Sequence, residues 1–303
     1  MRGKILDTME STKTIIKTIE AKNILTRSNL PVSDYSVNPY VGCTHACKYC
    51  YASFMKRFTN HPEAWGSFLD VKYWQDVRHP ERYAGKKVFI GSVTDPYQPQ
   101  ERIHRRTRSL LEELRDSGAQ LSIQTKSDLV LRDLDLLKTI PDVRIGFSIN
   151  TLDEQFQSDM DKAVSIARRL AAMKVLHEAG IRTTCFISPI FPGITDCVSI
   201  IERVKQQCNL IWLENLNLRG SYKKTVLQYI REAHPQMMPL YKAIYLHGSR
   251  SYWETLDEEL RVYAQQAGLV YVRNDDSKRP FHAPPALVNF FYHDEIKKSA
   301  LKE

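Results

Sequence analysis

A chain of 303 residues, 43% hydrophobic and 26% charged, is long and apolar enough to bury a full core, which excludes a disordered or low-complexity protein. Its 43 basic and 35 acidic residues leave a net charge of +8. That balance favours acidic partners, nucleic acid first, and equally suits a solvated basic surface. Residues 1–22 hold no continuous apolar run and no segment approaches bilayer length, so no membrane contact and a cytoplasmic location are expected.

In chain order, residues 1–37 mix charged and polar side chains and read as an N-terminal arm entering a strand in "YSVNPYVG" (35–42). "KKVFIGSV" (86–93) is a second strand, and "RTRSLLEELRDSG" (106–118) a helix closed by Gly118. A strand (120–127) and a helix (128–140) follow, then another strand (143–150) and a long helix (165–180) ended by glycine. Next come a strand (181–190), the helix "CVSIIERVKQQC" (197–208) and the strand "LIWLENLNL" (210–218). This alternation with short links predicts parallel βαβ units. The fold class expected is α/β, a partial (β/α)6 TIM-like barrel over 38–220 with its active loops at the C-terminal ends of the strands. Residues 221–303 read as a helical and strand extension packed on that core.

Three of the six cysteines form the C-x3-C-x2-C spacing Cys43, Cys47, Cys50. In a reducing compartment, thiols so clustered are ligands or catalysts rather than disulfide partners. They suit zinc or an iron–sulfur cluster. A closed zinc site wants a fourth ligand, and His45, between two of the cysteines, is awkwardly placed to be one. Three thiolates on a [4Fe–4S] cluster leave one iron open for an amine and a carboxylate. A zinc knuckle or plain buried cysteines are the alternatives. Phosphate-loop, H-E-x-x-H, G-x-S-x-G and dinucleotide fingerprints are absent.

With Tyr49 before Cys50, the stretch resembles the C-x3-C-x-aromatic-C hallmark of the radical S-adenosylmethionine (SAM) superfamily. "NPYVGCTHACKYCYA", "GSVTDPYQPQE", "TKS" and "SPIFPGITD" further resemble its spore photoproduct lyase-like subgroup, including the radical SAM mobile pair protein B family. The resemblance covers about residues 35–220. It implies a [4Fe–4S] cluster on Cys43, Cys47 and Cys50, whose open iron chelates SAM and whose electron cleaves it to a 5′-deoxyadenosyl radical. It places Tyr49 against the adenine. Where relatives carry Gly-Gly-Glu, this chain has Gly91-Ser92-Val93-Thr94-Asp95, so Thr94 and Asp95 are the expected acceptors for the SAM amino group. Lys126, Ser148 and Arg169 match residues that contact the same ligand, with Arg168 competing for the last role.

Two departures matter. Photoproduct lyases carry a hydrogen-donating cysteine where this chain has Ser92, whose O–H bond is too strong to serve. Cys185 and Cys197 are the candidate catalytic substitutes, though the ordinary reading of each is a small core residue. The subgroup's Glu-Pro before the Arg-Leu pair is replaced by "DMDKAVSIARR". Substrate recognition falls to Glu214, Asn215, Asn217 and Arg219, and to the basic run "ERIHRRTR" (101–108) with Lys56 and Arg57. The expected partners are an electron donor such as flavodoxin or ferredoxin, a companion radical SAM protein and nucleic acid. The function expected is a radical SAM enzyme of lyase or transferase type. Alternatives are radical modification of a protein, peptide or small metabolite, and an iron–sulfur regulator that does not turn SAM over.

Overall fold

The computed structural model describes residues 14–273 and 287–291; residues 1–13, 274–286 and 292–303, parts of the expected arm and extension, lie outside them. The first half of the chain holds β1 (Ile15–Ala21), β2 (Leu25–Arg27), β3 (Tyr35–Val37), β4 (Tyr40–Val41), β5 (Phe68–Trp74), β6 (Lys87–Ile90), α1 (Glu101–His104), α2 (Arg106–Leu114), β7 (Gln120–Thr125), α3 (Leu134–Leu137) and β8 (Val143–Ser148). The second half holds α4 (Glu154–Met160), α5 (Ile166–Glu178), β9 (Arg182–Ile190), α6 (Cys197–Val204), β10 (Leu210–Asn215), α7 (Tyr222–Ala233), α8 (Met238–Tyr245), α9 (Ser251–Gln266), β11 (Val270–Arg273) and β12 (Leu287–Phe291).

The main sheet has the order β11-β12-β10-β9-β8-β7-β6-β3-β2. Its six strands from β3 to β10 are neighbours in chain order and all parallel, which is the partial (β/α)6 barrel. On one side β2 adds antiparallel to β3; on the other β12 joins β10 and β11 joins β12, both parallel.

Strand alternation explains the layering. Leu121 and Ile123 of β7, Ile145 and Phe147 of β8, and Cys185 and Ile187 of β9 are fully buried against the helices, in one core with Leu110, Leu111, Met173, Leu176 and Ile201. The intervening residues face the concave interior, and many are polar. Gln124 of β7 is in register with Gly146 of β8, and the Gln124 amide donates to Ser148 Oγ (3.0 Å). Ser188 of β9 donates to Glu214 of β10 (2.9 Å), which also accepts the Trp212 indole N–H (3.0 Å). A polar interior in a fold with an otherwise apolar core marks a binding channel.

Three expected elements differ. The helix expected over 128–140 is a 3-10 segment (Asp128–Asp133) followed by the single turn α3, because buried Asp133 is gripped by Arg108 and Arg132 rather than lying on an amphipathic face. The strand expected over 210–218 ends at Asn215, where its register against β9 shifts. The basic run 101–108 is broken at Arg105, which turns into the left-handed region (φ 50°) between α1 and α2. Arg106 then lies 3.9 Å from the Trp74 ring centroid and Arg108 pairs with Asp133 and Asp135, so both are structural.

A small second sheet, β1-β5-β4, carries the cysteine loop. β4 leads straight into Gly42, whose φ is +93° and where a Cβ would meet the Phe68 carbonyl oxygen of β5 at 2.4 Å. Only glycine fits such an approach. Gly42→Ala is expected to cost on the order of 3 kcal/mol. Denaturant unfolding should show the loss, and iron bound per chain should fall with it.

Candidate metal centre

The loop from Cys43 to Cys50 crosses the C-terminal rim of the barrel. Its ends are closed by backbone bonds from Ala46 N to Cys43 O (3.2 Å) and from Cys50 N to Cys47 O (3.1 Å). Two further bonds tie it to the segment after α4, from Lys48 N to Met160 O (2.9 Å) and from Lys162 N to His45 O (2.7 Å). From the β6 side, Thr94 donates to the Gly42 carbonyl (2.6 Å), and Gln98 Oε1 accepts the Thr44 N–H (2.9 Å). The three sulfurs are thus held by bonds that none of them makes.

Asp95 is the junction of this scaffold. Its buried carboxylate accepts from Tyr97 N (2.8 Å), Thr125 Oγ1 (2.7 Å) and Lys126 N (2.7 Å), and lies 3.1 Å from His45 Nε2. Burial pushes this carboxyl up, but His45 and the hydrogen bonds outweigh it and hold the pKa at about 2. Thr94 and Asp95, expected to meet an ammonium, are therefore engaged by protein donors and acceptors. His45 is a loop anchor.

Burial raises all three thiols, Cys43 to about 12 with Asp95 and Cys50 adding to the effect. Backbone N–H groups of His45 and Asp95 favour the Cys43 thiolate, and the Trp65 indole with the Ala52 and Ser53 N–H groups favours that of Cys50. Lys126 works the same way on Cys47. Burial thus keeps the thiols protonated until a bound cation takes them as thiolates, which these donors would then favour. Among the described residues no three His, Cys, Asp or Glu side chains are grouped to hold a single ion. Three thiolates that each address a separate iron need not be, so the donor set fits a [4Fe–4S] cluster.

Lys126, at the end of β7, has its ammonium 5.6 Å from the centroid of the Tyr49 ring. Burial disfavours its charge, but the Cys47 sulfur and Asp161 outweigh that and raise its pKa. Among the described residues it makes no ion pair. Tyr49 is buried, edge-on to Phe191 (5.5 Å), and its hydroxyl donates to Asp161 (3.1 Å). Of the two arginines, Arg168 pairs at the surface with Asp128, whereas Arg169 is wholly buried. The Arg169 guanidinium donates to Val164 O (2.8 Å), Ser148 O (3.2 Å) and Asp161 Oδ1 (2.7 Å). Asp161 thus supplies a carboxylate in the stretch that departs from the Glu-Pro pattern. Sequence reasoning passed over it, and its only signal was an acid eight residues before a buried arginine.

Ser92 Oγ accepts from Asn38 Nδ2 (2.9 Å), and the Tyr51 hydroxyl contacts the Ser92 carbonyl. Tyr51, which directly follows Cys50, is a second rim residue that sequence reasoning missed. Cys185 and Cys197 lie elsewhere. Both are buried in the core between sheet and helices, Cys185 on the face of β9 opposite Phe186 and Ser188. The fold does not bring either one to the channel. Glu214 lines the interior, Asn215 is buried at the strand end, and Arg219 is exposed beyond it.

An open parallel barrel with three thiols on its C-terminal rim defines an iron–sulfur barrel protein. A family model, the radical SAM superfamily, matches residues 37–203, over half of the chain. The chain belongs to the radical SAM superfamily, whose members use a [4Fe–4S] cluster and SAM. It is 38% identical over 229 residues to an uncharacterised protein of Methanocaldococcus jannaschii, covering 75% of this chain and 86% of that one. It is 22% identical to a radical SAM Nalpha-GlyT isomerase of Pseudomonas phage M6, covering 75% of this chain and 49% of the isomerase. Spore photoproduct lyase complexed with dinucleoside spore photoproduct shares the fold, with TM-score 0.61 and 16% identity over 91% of this chain and 82% of the lyase.

The depressed Asp95 pKa has a definite sign. Its contribution is full above about pH 4 and is lost as pH falls through about 2. Asp95→Asn is expected to lower stability at neutral pH by about 2 kcal/mol. Urea unfolding should show that gap closing between about pH 4 and pH 2.

Proposed function

We propose that this radical SAM enzyme cleaves SAM reductively and uses the resulting radical to abstract hydrogen from a nucleic-acid substrate. The observation that carries the reading is the rim itself, where the three thiols of one loop stand beside Lys126 and Tyr49 above a polar barrel interior. When bound and reduced, the cluster supplies the electron that converts SAM to methionine and a 5′-deoxyadenosyl radical. Cys43, Cys47 and Cys50 would hold it.

The chain's own residues do the rest. Lys126, held charged by the Cys47 sulfur and Asp161 and in no ion pair among the described residues, offers the carboxylate of SAM a cation, and Tyr49 presents a ring held in place by Asp161 and Phe191. Ser148 and Gln124 offer hydroxyl and amide groups to the sugar from the interior face. Arg169 acts through Asp161 and the Ser148 carbonyl as a positioning residue, and Thr94 and Asp95 keep the strand ends together. Ser92 stands with Asn38 at the channel's edge. With Cys185 and Cys197 packed away from the interior, neither is assigned a role as hydrogen donor.

Nucleic acid is favoured as substrate by the +8 charge and by the lyase of like fold, whose complex holds a dinucleoside. The electron would come from a flavodoxin or ferredoxin in the cytoplasm, and the likeness to mobile pair proteins supports a companion protein. Among the described residues no helix is long and apolar enough to cross a membrane.

The anaerobically reconstituted, dithionite-reduced protein is expected to release 5′-deoxyadenosine from SAM, read by liquid chromatography. Cluster absorbance without that product would instead identify an iron–sulfur regulator. The Cys43→Ala, Cys47→Ala, Cys50→Ala variant should lose both iron and product, and retention of either would refute the site. Lys126→Met should weaken SAM binding by roughly tenfold, per iron bound, in a calorimetric titration, with the far-ultraviolet circular dichroism unchanged.

A further inference from the structure

One surface is used neither by the cluster loop nor by the barrel interior. Directly after Cys50, the 3-10 helix Tyr51–Phe58 exposes Phe54 and Phe58, the latter 66% exposed. The Arg57 guanidinium carbon lies 5.6 Å from the Phe54 ring centroid and 4.6 Å from that of Phe58, so ring, guanidinium and ring form one stack. Among the described residues Arg57 has no carboxylate partner. Aromatic rings left to water at a cost, with a guanidinium between them, make a pre-built stacking platform.

The helix is joined to the far side of the barrel mouth. Ser53 Oγ lies 3.3 Å from Ser221 Oγ, the residue that begins α7, and Lys48 lies over the α7 ring of Tyr229 at 5.1 Å. Because this helix begins at the residue after Cys50, the juncture borders the cysteine loop. Arg219, Lys223 and Lys224 flank it. Neither residues 43–62 nor residues 215–231 contain an acidic side chain. Asp159 accepts from the Tyr229 hydroxyl (2.9 Å) and Glu214 acts on Tyr51, but the two facing segments themselves carry bases and exposed rings and no acids.

The geometry points to this face as the docking surface for an unpaired nucleic-acid strand, its bases stacking on Phe54 and Phe58 and its phosphates meeting Arg57, Lys223 and Lys224. The inference rests on the nucleic-acid reading above and adds the form of the substrate. A duplex hides its base faces and would leave both rings unused. An acidic peptide would satisfy the bases but gives no reason for the exposed stack. Docking here sets an adjacent nucleotide at the barrel mouth, where chemistry on a base needs it out of its pair.

Anisotropy of fluorescein-labelled single-stranded oligothymidine, titrated with the full-length cluster-loaded protein, tests this. Wild type is expected to bind with a steep salt dependence and to prefer the single strand to its duplex. Phe54→Ala with Phe58→Ala should weaken binding by roughly tenfold or more with the salt slope unchanged, and Phe54→Trp with Phe58→Trp should retain it. Lys223→Ala with Lys224→Ala should instead lower the slope by about 1.4. Circular dichroism and iron per chain confirm that each variant is folded. If wild type binds and the ring and lysine variants bind equally well, this surface is overturned and the nucleic-acid reading stands. If wild type ignores oligothymidine, or binds polyglutamate as tightly, the nucleic-acid reading itself fails.

Discussion

The carboxylate of Asp95 is the constraint on which the site depends. It is a buried charge that takes donors from its own loop, from the Thr125 side chain and from the Lys126 backbone at the end of β7, with His45 of the cysteine loop beside it. A buried carboxylate is tolerated only when its acceptor sites are filled. Filling them here joins the ends of β6 and β7 to the cysteine loop. The direction in which Lys126 faces and the height at which Cys43 sits both follow from that junction.

A second buried pair does the same on the opposite side. Arg169 and Asp161 satisfy each other, and the surplus capacity of Asp161 goes to the Tyr49 hydroxyl. Between the two anchors lies Lys126, a buried cation kept charged by the Cys47 sulfur and Asp161 but in no ion pair among the described residues. Two closed networks and one open charge distinguish residues that shape a site from the residue able to greet an anionic ligand. Polar residues expected at the ligand thus divide between those roles according to whether their partners are already within the protein.

Much of this was legible in the sequence. The six barrel strands were readable because each is a short β-branched or apolar run followed by an amphipathic segment, and that local alternation imposes parallel pairing. The three thiols were readable because their spacing is local. The 128–140 segment misled because its helical pattern ignored the distant partners, Arg108 and Arg132, that draw Asp133 inward. Cys185 and Cys197 were open to two readings and proved to be core residues, because the face Cys185 takes on β9 and the side Cys197 takes on α6 are fixed only once the elements are packed.

By itself, then, the sequence determined the barrel and the cysteine loop, features set by neighbours within a few residues. The tertiary structure alone decided which arginine is buried and that Asp161 completes the Arg169 and Tyr49 contacts. It also decided that Cys185 and Cys197 lie in the core, and that the aromatic helix after Cys50 meets the basic start of α7. Each of these depends on groups brought together from distant parts of the chain, where burial and charge pairing act only once the strands are in register.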